Sequence, residues 1–141
     1  MYIRTFDYMP EEAVSIRTEV FIDEQHFKNE FDDNDKIATH LVVYENEEAI
    51  ATCRYFAKDS STYLVGRIAV KSSYRGKGIG RLMLEEAEKQ IYRKGGIIME
   101  VSAQVRVQPF YEKLGLQAEG SPYPDEGCPH ILMRKTVGYK I

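Results

Sequence analysis

Arg75, Gly78 and Gly80 stand at the spacing Arg-x-x-Gly-x-Gly within Val70-Lys71-Ser72-Ser73-Tyr74-Arg75-Gly76-Lys77-Gly78-Ile79-Gly80-Arg81. Residues of these types in this order make an anion site. Glycines let a backbone come close to a ligand, the first N–H groups of a following helix have no internal partner, and the helix dipole favours negative charge there. Arg75, Lys77 and Arg81 add positive charge. For Lys77 and Arg81, direct contact with the anion and plain solvated surface charge both stay open. Two phosphate-binding motifs are excluded. A P-loop needs Gly-Lys followed by Ser or Thr, and Lys77 is followed by Gly78. A dinucleotide fingerprint needs glycine at its first, third and sixth positions. Counted from Gly76 the sixth is Arg81, and counted from Gly78 it is Met83.

Such a turn needs a strand before it and a helix after it. Tyr63 to Val70 is an apolar, strand-like run. Ile79 to Lys94 is an amphipathic helix, with Ile79, Leu82, Met83, Ala87, Gln90 and Ile91 on one face. Its acids lie early and Arg93 and Lys94 lie at its end, in accord with the dipole; Glu85 and Lys89 are set for an i,i+4 pair, and Gly95-Gly96 stops it. Upstream, Tyr2 to Phe6 alternates as a first strand, and Pro10-Glu11-Glu12 opens a helix that ends or bends within Val20 to Gln25. Phe27 to Lys36 is polar and acidic and predicts a loop. Ile37 to Tyr44 and Ala49 to Ala57 form a hairpin that Tyr63 to Val70 extends into a meander.

Downstream, Ile97 to Ala103 predicts a buried strand and Val107 to Leu114 a short helix with Pro109 in its first turn. Leu116 to Glu119 is a short strand, Ser121 to Gly127 a loop, and His130 to Thr136 a final strand. The order β-α-β-β-β-α-β-α-β-β implies an α/β (α+β) fold, one domain over residues 1–141. Its sheet is mixed and mostly antiparallel, flanked by helices, with a right-handed parallel crossover through the helix after the glycine turn.

Length and composition fit one soluble domain with a real core: 141 residues and a formal net charge of −3. That charge gives no electrostatic case for nucleic acid. The start, Met1 to Asp7, has no signal-peptide run and no segment is apolar enough to span a bilayer, so a reducing cytoplasm is expected. Cys53 and Cys128 are expected as free thiols, and neither has metal-ligand spacing, so no metal is expected.

With its flanks, the glycine turn resembles the acyl-CoA pyrophosphate loop of the GNAT superfamily of N-acetyltransferases. The strand Gly66-Arg67-Ile68-Ala69-Val70 precedes it, and Phe110-Tyr111-Glu112-Lys113-Leu114-Gly115-Leu116 is similar to the family's Phe-Tyr-x-Lys-x-Gly-Phe segment, with Leu116 in place of the usual aromatic. Val20 to Gln25, Ala38-Thr39-His40-Leu41 and Gly127-Cys128-Pro129-His130 resemble the small bacterial ElaA-like branch.

The resemblance implies transfer of an acetyl group from acetyl-CoA to a small-molecule or peptide amine, by direct attack on the thioester, in a monomer or homodimer. It places the pyrophosphate on Arg75, Gly76, Lys77, Gly78, Ile79, Gly80 and Arg81, and pantetheine and thioester on the backbone of Ile68, Ala69 and Val70 near a strand bulge. Gln104 would contact CoA or a bound water; the other reading is a strand-end surface residue. Tyr111 matches the tyrosine that protonates the CoA thiolate; the other reading is a core or CoA-stacking tyrosine. A phenol can fill that role because its ordinary pKa, near 10, keeps it protonated at neutral pH.

The base that takes the amine proton has three candidates, Glu24, His40 and His130, besides a water; His40, mid-strand, and His130, at the start of the last strand, are each more often hydrogen-bonded structural histidines. Phe21, His40 and His130 are candidates for the acceptor site. Asp32, Asp33 and Asp35 either attract a cationic amine or form a solvated acidic loop, the better default. Two other functions fit parts of the pattern: a catalytically idle CoA-binding domain of the same fold, and an unrelated nucleotide-phosphate binder.

Overall fold

The computed structural model describes residues 1–138. The final strand and the tail Val137 to Ile141 are where the sequence would allow a subunit contact, and residues 139–141 of that tail lie outside the described residues. Among the described residues the strands are β1 (Tyr2–Phe6), β2 (Thr39–Glu45), β3 (Glu48–Ala57), β4 (Thr62–Val70), β5 (Ile98–Gln104), β6 (Gln117–Asp125) and β7 (Cys128–Thr136). These seven form one sheet in the order β1-β2-β3-β4-β5-β7-β6. Every neighbouring pair is antiparallel except β4 and β5, which run parallel. That parallel pair is joined by helix α2 (Ile79–Arg93), as the crossover pattern requires. Helix α1 (Glu11–Arg17) lies on the opposite face, and the short α3 (Gln108–Lys113) follows β5.

Alternation along the strands divides the core in two. On the α2 face, Cys53, Tyr55, Val65, Met99, Val101, Ala103, Ile131 and Met133 pack with Ile79, Met83, Leu84, Ala87 and Ile91. The Val, Leu, Ile and Met side chains among them each contribute roughly 1.5–3 kcal/mol when fully buried. On the α1 face, Phe6, Ala13, Val42 and Tyr44 form one cluster, and Ile16, Val20, Phe21 and Ala69 another. Tyr111 belongs to the α2-face cluster.

Three expectations are corrected. Leu82 is exposed and Leu84 is buried, because α2 is rotated so that Met83, Leu84 and Ala87 meet the sheet. The predicted loop Ser121 to Gly127 is largely strand: β6 runs on to Asp125, with a register shift against β7 between Glu119 and Tyr123. Pro122 and Pro124 fit there because β6 is an edge strand, whose outward N–H groups need no partner. The acidic stretch is only in part a solvated loop: Asp32 and Asp33 are exposed. It holds a 3-10 turn, Asp33–Lys36, with a reciprocal Asp32–Asp35 cap, and Glu30 and Asp35 are buried. The first helix continues as a π-helical segment, Thr18–Glu24, which supplies the expected ending near Gln25.

Candidate active site

β4 and β5 are paired only from Thr62 to Val65 and from Ile98 to Val101. Beyond that point each strand keeps its other neighbour: β4 stays on β3 to Val70, and β5 stays on β7 to Gln104. The two strands therefore part, and their facing backbone N–H and C=O groups are left for a ligand. The parting begins at a bulge. Thr52 pairs with Ala69 but Arg54 with Gly66, which puts one extra residue on β4, and Arg67 takes a left-handed φ of 51°. A side chain held in that region costs of order 1–3 kcal/mol, and such residues cluster at functional sites.

A cavity of about 930 Å³ opens along this gap. It is lined at one end by Ile68, Ala69, Val70, Arg75, Gly76, Gly78, Ile79, Gly80 and Arg81. Gly78 caps α2 with φ 77° and no side-chain capping bond, so the first N–H groups of the helix are unspent. A side chain on Gly80 would meet the Phe110 ring at 3.3 Å, so glycine there lets α3 approach α2. Arg75 bonds the Val70 carbonyl at 2.9 Å and Glu24 at 3.0 Å. Arg81 is paired with Glu85 at 2.7 Å, and Lys77 sits over the Tyr74 ring, 5.3 Å from its centroid, and does not line the cavity.

At the other end the cavity meets a network that the sequence reading missed. Arg17 is 1% exposed and bonds Glu30 at 2.8 Å and Asp35 at 2.7 Å. Arg54 bonds Asp32 at 2.6 Å and Asp35 at 2.7 Å. Arg67 reaches the Glu30 carbonyl at 3.0 Å and the Asp32 carboxylate at 3.3 Å. Burial pulls the Asp35 carboxyl upward, but hydrogen bonds and charge from Arg17, with hydrogen bonds from Arg54, hold it down at about 2. For Glu30, burial wins and its carboxyl is raised despite Arg17 and Arg67. The signal available in the sequence was Arg54 and Arg67 inside strand patterns, where a charge needs a partner.

The predicted residues divide. Phe21, Glu24, Gln104, Tyr111 and His130 all line the cavity. Phe21 stacks on Phe27, and Gln104 bonds Gln25 at 2.8 Å. Both Glu24 carboxylate oxygens lie 3.0 Å from one Arg75 nitrogen. Tyr111 is 7% exposed, burial pushes its phenol up, and its hydroxyl has no hydrogen-bond partner among the described residues. His130 is 6% exposed; its Nδ1 lies 2.8 Å from the Cys128 carbonyl and its ring stacks on Tyr123. His40 is a correction. It does not line the cavity but sits behind the ion network, 1% exposed, with Nε2 3.0 Å from the Asp35 carbonyl. Burial lowers its pKa.

Across the cavity mouth, Glu126 of the β6–β7 turn accepts hydrogen bonds from the backbone N–H groups of Lys28 at 3.1 Å and Asn29 at 2.7 Å. Both cysteines are free, and burial pushes the Cys53 thiol up to about 12. No helix among the described residues is long and apolar enough to cross a membrane.

A family model described as an acetyltransferase (GNAT) domain matches residues 6–137. The uncharacterized N-acetyltransferase YjcF of Bacillus subtilis is 32% identical over 127 residues, 88% of this chain and 90% of its own. The crystal structure of Escherichia coli ElaA superposes with a TM-score of 0.83 at 23% identity, over 96% of this chain and 99% of that one. An aminoglycoside 6'-N-acetyltransferase complexed with coenzyme A superposes at 0.78 and 17% identity, over 100% and 99%. At those identities the two structures show the shared fold.

Proposed function

The chain belongs to the GNAT acetyltransferase family, and from that premise we propose that it moves an acetyl group from acetyl-CoA to a primary amine, by direct attack within a ternary complex. The observation that carries this reading is the parting of β4 from β5 beside an uncapped helix N-terminus, both opening into one cavity. The pyrophosphate sits on the turn from Arg75 to Arg81, where Glu24 fixes the Arg75 guanidinium. Pantetheine lies along Ile68, Ala69 and Val70, adding the hydrogen bonds that β5 withdraws. The same backbone holds the thioester carbonyl, and one such preorganised donor is typically worth about 3–4 kcal/mol in the transition state.

Tyr111 acts on the departing sulfur. Its phenol, pushed up by burial, arrives protonated. It first donates a hydrogen bond to the developing thiolate and gives up the proton only as the C–S bond breaks. Its unbonded hydroxyl fits this role better than that of a satisfied core tyrosine. The test is a thiol-release assay over a panel of polyamines, aminoglycosides, amino acids and peptides, beside calorimetry with CoA. Tyr111→Phe should lower kcat by about 10²-fold and leave CoA affinity nearly unchanged. Unchanged turnover at saturating acetyl-CoA removes the acid role, and CoA binding without turnover on any amine favours the idle-domain reading.

A further inference from the structure

The attacking amine must lose a proton, and the fold separates the three side chains that the sequence offers to take it. Glu24 has both carboxylate oxygens engaged by Arg75. His40 is sealed behind the ion network. We propose that His130 is the general base, with the Cys128 carbonyl fixing its tautomer; this rests on the acetyl-transfer reading above.

The geometry works as follows. A carbonyl oxygen can only accept, so the His130 nitrogen 2.8 Å from it, Nδ1, carries the ring proton. The lone pair is then on Nε2, which has no hydrogen-bond partner among the described residues. Nor is Nε2 sealed off, since the buried side-chain atoms without a partner are His40 Nδ1 and Arg54 Nε. The ring is only 6% exposed yet lines the cavity, so a ligand meets it from there. Its plane is held by the Tyr123 ring, 6.3 Å away and inclined by 26°, and Tyr123 is itself hydrogen-bonded to Ser102. A base oriented by one group and steadied by another is the usual arrangement for proton transfer.

Strand register supplies the second support. His130 pairs with Gln104 on β5, just past the point where β4 leaves β5. Its neighbour Ile131 points into the α2-face core, so His130 points to the α1 face. Tyr111 belongs to the α2-face core. Acid and base therefore flank the gap from opposite faces of the sheet. An amine entering from the α1 side attacks the thioester carbonyl carbon, and the C–N bond forms. His130 Nε2 takes one N–H proton, the C–S bond breaks, and the sulfur leaves toward Tyr111, which protonates it. Solvent returns a proton to Tyr111 and removes one from His130, so the sum is amine plus acetyl-CoA giving amide plus CoA thiol.

The test compares wild type with His130→Asn and His130→Ala on an amine the wild type accepts. Asparagine keeps an N–H in the Nδ1 position for the Cys128 carbonyl but has nothing at Nε2, so it holds the local structure without the base. Both variants should lose about 10²–10³-fold in kcat with CoA affinity retained, and free imidazole should restore part of the rate to His130→Ala. Imidazole rescue is not expected of a structural histidine. Wild-type turnover with His130→Asn within a few fold of it, or His130→Ala slow and unmoved by imidazole, overturns the base while leaving the acetyltransferase reading intact. A wild type inactive on the whole amine panel overturns both.

Discussion

The glycine turn and the ion network both use arginine, in opposite settings. Arg75 and Arg81 expose 44% and 67% of their side chains, while Arg17 and Arg54 expose 1% and 5%. The turn is one continuous stretch whose work is done by backbone N–H groups and glycine conformations. The network joins Arg17, Glu30 with Asp32 and Asp35, Arg54 and Arg67, from a helix, a loop and two strands. Three guanidinium groups there face three carboxylates, so the charges cancel internally. An exposed cation, even one paired as Arg75 and Arg81 are, keeps donors that a ligand can reach. A buried one is spent on its partners and shapes the wall instead.

Removing one charge from each region breaks this contrast most strongly. Arg17→Met leaves buried Glu30 and Asp35 short of a partner and should cost about 3–5 kcal/mol in urea unfolding. Arg75→Ala should change stability by under about 1 kcal/mol while weakening CoA binding in calorimetry. Equal stability losses from the two would erase the distinction.

Acid titration is the next effect. Asp35 has a folded-state pKa of about 2, below its ordinary value of 3.8. Its contribution is therefore present above about pH 4 and lost as pH falls toward 2. Wild type should lose about 2 kcal/mol from this group across that window, and Asp35→Asn should show a flatter acid limb. Glu30, with its carboxyl raised, works in the opposite sense: its contribution is present at low pH and lost as pH rises through the folded-state value. A parallel acid limb in both proteins would show that Asp35 does not carry the transition.

Gly78→Ala probes the turn itself. At φ 77° an alanine should cost about 1–2 kcal/mol, visible as a lower melting temperature, and CoA should bind more weakly because the helix N-terminus moves. Glu126→Ala should have the smallest effect. Its carboxyl is held low by the N–H groups of Lys28 and Asn29, and losing it should speed hydrogen exchange at those two amides several-fold with little change in melting. Unchanged exchange there would mean that the contact is not kept in solution.

The fold was legible where local signals agree with tertiary need. The strand–turn–helix around Gly78, the amphipathic α2 and the parallel crossover all follow from period and glycine placement. Legibility failed where burial contradicts polarity. Asp35 and Glu30 read as solvated because nothing near them in sequence announces Arg17 or Arg54. His40 read as a site candidate because a histidine in a strand looks alike whether it faces a cavity or a carbonyl. Ser121 to Gly127 read as a loop because edge pairing forgives proline, and which strand is the edge is a property of the whole sheet.

The sequence by itself determined the glycine turn, since a backbone anion site is a local object written in contiguous residues. Only the tertiary structure decided the far end of the cavity. Which charges are spent in pairs, which histidine keeps a free nitrogen in the cavity, and which face of the sheet Tyr111 and His130 occupy depend on residues up to about a hundred positions apart, as with Glu126 and Asn29. Chain closure sets those distances, and no local period encodes them.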